Sequence, residues 1–171
     1  GKCNQQTQVY AMLYGLVEPN ELAYMQEAVA AMNRSSEQSF SYYLLYSMFD
    51  AKPQWALDFI RNNWGTQMKT PLFNGSWHEN WDIANFSSDL ITTSHAWCSG
   101  PTALLPQKVL GVEPTSAGWK TFSVKPNFCD LKWAKGIVPT PYGSIAVDWE
   151  NNTEGVFKLY VLVPDKTTSK V

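Results

Sequence analysis

Helices followed by antiparallel strands in a sandwich or sheet are the fold class this sequence predicts, and three observations predict it. Apolar residues recur at intervals of three and four as far as about residue 110, then alternate with polar ones. Short Pro-, Gly- and Asn-bearing turn signals separate the runs in both regions. One stretch, Asn74 to Trp97, follows neither period, yet carries three of the eight tryptophans, both histidines and the carboxylate of Glu79. A long aperiodic connection inside a well-patterned domain is functional or disordered, and this one is too aromatic for disorder. The expected organisation is a helical segment over 1–110 with a functional loop at 66–93, then a β domain over 111–171.

The first helical stripe is Val9, Met12, Leu13 and Leu16, broadened by Tyr10 and Tyr14. No capping box precedes it, so the helix is expected to begin at or before the first residue. Pro19 breaks the pattern, and Asn20 is the expected N-cap of a second helix from Glu21 to about Met32, striped by Leu22, Met25, Val29 and Met32. A third runs from Ser39 to Asp50. Pro53 suits the first turn of a fourth, with Trp55, Phe59 and Trp64 as its large apolar groups and Gly65 as its stop. Helices of this length joined by short turns pack as antiparallel hairpins. Ser94 is the expected cap of a further helix to Leu110, ended by Gly111. Pro101 and Pro106 lie inside it, and an interior proline costs about 3 kcal/mol, so this helix should be kinked or divided.

Beyond Gly111 the half-buried strands are marked by Phe122 and Val124, by Leu131 and Trp133, by Ile145, Val147 and Trp149, and by Phe157, Leu159, Val161 and Val163. Turn signals PNFCD, PTPYG, ENNTEG and VPDKTT separate them. Another strand should begin at the closing SKV. Both ends therefore read as cut from something longer.

Composition narrows the function classes. With 44% hydrophobic residues the chain can build a packed core, while 13 basic against 15 acidic residues, with no like-charge run, give no nucleic-acid footprint. No apolar run approaches the roughly 20 residues of a membrane-spanning helix, and the opening GKCNQQTQVYAM is not a signal sequence. Cys3, Cys98 and Cys129 form no CxxC pair, and the two histidines stand apart, so neither a metal nor another cofactor is expected. Four sequons, at Asn33, Asn74, Asn85 and Asn151, lean towards a secreted or periplasmic protein.

Five blocks carry a resemblance: TQVYAMLYGLVEP, GSWHENWD, SHAWCSGPTALLPQKVLGVEP, GWKTFSVKP and GIVPTPYGSIAVDWE. In order and spacing they resemble the C-terminal part of the inverting α-L-rhamnosidases, glycoside hydrolase family 78. The resemblance implies that the helices are the last hairpins of an (α/α)6 barrel, and that a β-sandwich follows. It also implies a general base at Glu79, since the family pattern WExW is matched by Glu79, Asn80 and Trp81, with the first tryptophan displaced to Trp77 by His78. His95 is similar to the family histidine that reaches the sugar, and Trp97 to the aromatic beside it.

Inverting hydrolysis needs an acid to protonate the leaving oxygen and, about 6.5–9.5 Å away, a carboxylate that activates water on the opposite face. Glu79 fits the second role, while Trp77, Trp81 and Trp97 offer flat apolar surfaces to the C–H face of a deoxysugar, and His95 a hydrogen bond to a hydroxyl. Taken alone, an acid is most often a solvated surface charge, a histidine a satisfied core residue, and a tryptophan packing. Asp82 reads as an orienting partner and Cys98 as a small buried hydrophobe. The family's general acid lies upstream, in a region this chain does not resemble. The expected partners are a rhamnose-containing glycoside and the rest of the barrel, with no nucleic acid and no membrane. The alternative is a non-catalytic carbohydrate-binding or structural module derived from the same fold.

Overall fold

The computed structural model describes residues 4–82, 92–151 and 155–171, and the chain forms two compact units, 1–101 and 102–171. Cys3 and Asn85 lie outside the described residues, as does the remainder of the sequon that begins at Asn151.

The first unit is built from α1 (Gln5–Leu13), α2 (Leu22–Ala31), α3 (Ser41–Phe49) and α4 (Pro53–Gln67), with α1 packed on α2 and α3, and α3 on α4. The helix-forming runs are where periodicity places them, but the ends differ. α1 begins at Gln5 rather than at or before residue 1, because the Asn4 side chain accepts the Gln6 and Thr7 amide N–H groups at 2.8 and 3.4 Å and closes the helix there. Asn20 does not cap α2; Glu21 holds the cap position without a side-chain bond. Gly65 does not stop α4, which continues to Gln67, where the buried Gln67 amide finds partners in Gln38 and the Asn80 carbonyl. Pro53 stands in the first turn as expected.

Val9, Val29, Leu44, Leu45, Met48, Phe49, Ala56, Phe59 and Trp64 form the core of this unit. Buried polar side chains pin its turns. Gln5 donates to the carbonyls of Val29 and Asn33 at 3.3 and 2.7 Å, satisfying the end of α2, and accepts from Ser36 Oγ at 2.5 Å.

The expected helix from Ser94 to Leu110 is divided. A 3-10 turn covers Ala96–Cys98, α5 covers Gly100–Leu104, and a π-helical turn covers Leu105–Val109. Ser94 caps none of them; its hydroxyl meets Ser76 Oγ at 2.8 Å. Pro101 falls in the first turn of α5 and Pro106 in that of the π segment, where a missing N–H does least harm.

The second unit has β1 (Val112–Pro114), β2 (Thr121–Val124), β3 (Trp133–Thr140), β4 (Gly143–Asn151), β5 (Phe157–Leu162) and β6 (Thr168–Lys170). They form two three-stranded sheets, ordered β1-β2-β6 and β3-β4-β5. Sheet β3-β4-β5 is antiparallel, with Ile137, Ala146 and Leu162 in one row. In the other sheet β1 and β2 are antiparallel, but β6 lies parallel to β2, a departure from the all-antiparallel expectation. A parallel neighbour cannot be reached by a tight turn, and here the whole of β3-β4-β5 forms the crossover.

Two further corrections concern β3. It starts at Trp133, leaving Leu131 outside, and it runs through Pro139, where a turn was expected. As an edge strand it tolerates a proline that donates nothing to the ladder. Val112, Phe122, Val124, Ile145, Val147 and Trp149 are buried in this unit, with Phe128 packed against Trp149 and Phe157. Lys108, also buried, pairs with Glu113 at 2.9 Å.

Gly111 joins the π turn to β1 at φ +86°, and a Cβ there would sit 2.3 Å from the Lys125 carbonyl carbon. Gly111→Ala is therefore expected to cost more than the roughly 1–3 kcal/mol of an isolated strained residue. A chemical-denaturation midpoint within error of the parent would contradict this.

Candidate active site

After α4 the chain turns back, and residues 74–79 run beside residues 92–95. The His95 N–H donates to the Trp77 carbonyl at 2.7 Å and the Glu79 N–H to the Thr92 carbonyl at 2.9 Å. Asn74 adds bonds to the Ser76 N–H (3.0 Å) and the Thr93 carbonyl (3.4 Å). These bonds bring Trp77, Glu79 and His95 onto one pair of adjacent segments although 16 residues separate Glu79 from His95. Burial alternates along the first segment. His78 is buried, and neither of its ring nitrogens has a partner among the described residues, whereas Trp77 and Glu79 are half-buried. His78 thus faces inward while its two neighbours lie on the accessible side.

The predicted residues divide into two groups. Trp81 is held in the packing: its indole N–H donates to the Ser36 carbonyl at 2.9 Å, and its ring meets Trp64 edge-on at 4.8 Å and Phe59 at 6.2 Å. Arg34 lies 5.8 Å from that ring and binds both oxygens of Asp82 at 2.8 and 3.0 Å, so Asp82 serves as an ion-pair partner. Trp77 packs on Phe73 at 5.3 Å. By contrast, Trp97 is 78% exposed, and His95 stands edge-on to it at 5.9 Å. His95 is extended and precedes only the one-turn 3-10 segment, so it does not begin a full helix.

Cys98 joins these parts. Its carbonyl accepts the Trp64 indole N–H at 2.7 Å, and its thiol reaches the Glu79 carbonyl at 3.6 Å. Burial first, then the negative charges of Glu79 and Glu37, push the thiol up to about 12. It therefore stays protonated at ordinary pH and acts as packing rather than as a nucleophile.

Glu37 was not singled out by any sequence motif. It lines a cavity of about 560 Å³ with Tyr10, Phe40, Tyr42, Tyr43 and Trp97, and with the polar groups of Gln6 and Ser39. That volume is within the roughly 300–1,000 Å³ of small-molecule sites, and aromatic walls with a few polar groups are their usual lining. Glu79 does not line this cavity, although its charge and that of Glu37 both act on the Cys98 thiol.

Residues 111–171 match the family described as the bacterial α-L-rhamnosidase C-terminal domain. This part of the chain is similar to a rhamnosidase C-terminal domain. An α-L-rhamnosidase of Formosa agariphila is 36% identical over 66 residues, 38% of this chain and 7% of that protein. Among solved structures, a family 78 rhamnosidase of Bacillus sp. GL1 superposes with a TM-score of 0.81 at 30% identity, over 97% of this chain and 18% of its own. A Streptomyces avermitilis α-L-rhamnosidase, crystallised with L-rhamnose, gives 0.83 at 18% identity over the same shares, a likeness of fold. The rhamnosidase likeness thus extends beyond the C-terminal domain to the helical unit carrying Glu79, while the chain spans only a small part of each relative's length.

Proposed function

We propose that the protein to which this sequence belongs hydrolyses terminal α-L-rhamnosyl residues with inversion, and that Glu79 is its general base. The observation that carries this reading is the local geometry: a half-buried carboxylate on a backbone-bonded loop pair that also carries His95, whose ring meets Trp97 in the wall of an aromatic cavity. Such a group activates water when a proton donor stands on the other face of the sugar. Trp97 and Trp77 present apolar surface to the sugar, His95 a ring nitrogen to a hydroxyl, and Trp81 fixes the loop from beneath. The helices are the closing part of an (α/α)6 barrel, whose earlier hairpins supply the acid.

The division of labour has a direct consequence. Full-length protein incubated with an aryl α-L-rhamnoside should release β-L-rhamnose as the first-formed anomer, read by NMR before mutarotation. The 171 residues alone should show no turnover above the buffer rate. Release of the α anomer would remove the inverting mechanism, and turnover by the isolated chain would place the acid within it.

A further inference from the structure

We infer that Glu37 is a sugar-binding carboxylate, accepting hydrogen bonds from two adjacent hydroxyls of a glycosyl ring seated against Trp97 in the 560 Å³ cavity. The inference rests on the proposal that a glycoside binds at this site, and it adds a residue that the base, the histidine and the tryptophans do not include.

The backbone on both sides of Glu37 is anchored, and only its own side chain is left to face outward. Ser36 Oγ donates to the buried Gln5 amide oxygen at 2.5 Å, and the Ser36 carbonyl receives the Trp81 indole N–H at 2.9 Å. Gln38 is fully buried and paired with Gln67 at 3.1 Å. The Glu37 carbonyl accepts from Ser41 Oγ at 3.2 Å as α3 begins. A side chain held at its base by neighbours on both sides is presented in a narrow range of positions, which is what a binding group needs.

The carboxylate itself is unclaimed. No hydrogen bond or ion pair engages it among the described residues, and the nearby cation, Arg34, is committed to Asp82. It also borders two further cavities, of about 370 and 210 Å³, so it stands where three recesses adjoin. An ionised carboxylate has acceptor oxygens only, and the donors that match a pair of them are the hydroxyls of a vicinal diol. The walls around it supply the other half of sugar recognition, aromatic surface for C–H groups, from Tyr10, Tyr42 and Trp97.

The test is a binding titration on full-length protein, followed by tryptophan fluorescence, with methyl α-L-rhamnoside and its 2-, 3- and 4-deoxy analogues as probes. Glu37→Ala should weaken methyl α-L-rhamnoside at least tenfold. For the deoxy analogue lacking a hydroxyl bound by Glu37, the further loss on mutation should shrink at least threefold; for one lacking an unbound hydroxyl it should persist in full. Equal losses across all four probes would mean a structural role and overturn the inference, as would a loss below twofold or no binding by the parent protein. Glu37 is exposed, so an unchanged melting midpoint is expected and checks that folding is intact. Because binding is read apart from turnover, absence of rhamnose release by the parent would count against Glu79 as base without bearing on Glu37.

Discussion

Replacing Glu79 by glutamine should lower kcat of the full-length protein on an aryl α-L-rhamnoside by roughly 10²–10⁴-fold, the usual contribution of a positioned general base. The substitution keeps the shape of the side chain and removes only its ability to take a proton. Among the described residues its side chain is held by the Thr92 N–H, which donates to a carboxylate oxygen at 3.4 Å and can be accepted equally by an amide oxygen. The loop pairing is made by backbone groups, the Glu79 N–H on the Thr92 carbonyl and the His95 N–H on that of Trp77, and survives the change. Folding should therefore be intact and KM little altered, so that kcat and kcat/KM fall together, as for an interaction made only in the transition state. Turnover within a fewfold of the parent would refute the role given to Glu79.

The largest effect on stability is expected from Trp64→Ala. Trp64 is 2% exposed, donates its indole N–H to the Cys98 carbonyl at 2.7 Å, and meets Trp81 edge-on at 4.8 Å. Truncating a buried tryptophan costs about 3–5 kcal/mol through lost burial and the cavity left behind. Trp64→Phe separates the terms, since it keeps an aromatic ring but leaves the Cys98 carbonyl without that donor, at about 1–3 kcal/mol for the unsatisfied group. Denaturant midpoints of parent, Phe and Ala forms should fall in that order. An Ala form as stable as the parent would mean that this indole does not support the loop.

Much of the architecture was legible because burial imposes a period. Val9 and Val29, from the stripes of the first two helices, and the alternation Ile145, Val147, Trp149 face a core and are buried where the pattern puts them, whereas Leu16, placed in the first stripe, lies beyond the end of α1 and is exposed. Ends were read less well, since they depend on single bonds: Asn4 closes α1 by reaching its own helix, while Ser94 turns aside to Ser76. The parallel pairing of β6 with β2 is a long-range fact that no local window contains. Around the candidate site, the aperiodic aromatic stretch stood out by itself, but Glu79, His95 and Trp97 were singled out within it by the family resemblance. Glu37 did not, because what distinguishes it is the anchoring of Ser36 and Gln38 by Gln5, Trp81 and Gln67, partners that are distant in sequence.

The order β1-β2-β6 also governs when the second unit can assemble during synthesis. Until residues 168–170 have been made, β2 has β1 alone as neighbour, a two-stranded ribbon of three or four residues a side, which is marginal in water. The open edge of β2 meanwhile offers its amide and carbonyl groups to any passing strand. The self-contained meander β3-β4-β5 can form first from local contacts, so the nascent domain acquires its sheets in the reverse of their order along the chain.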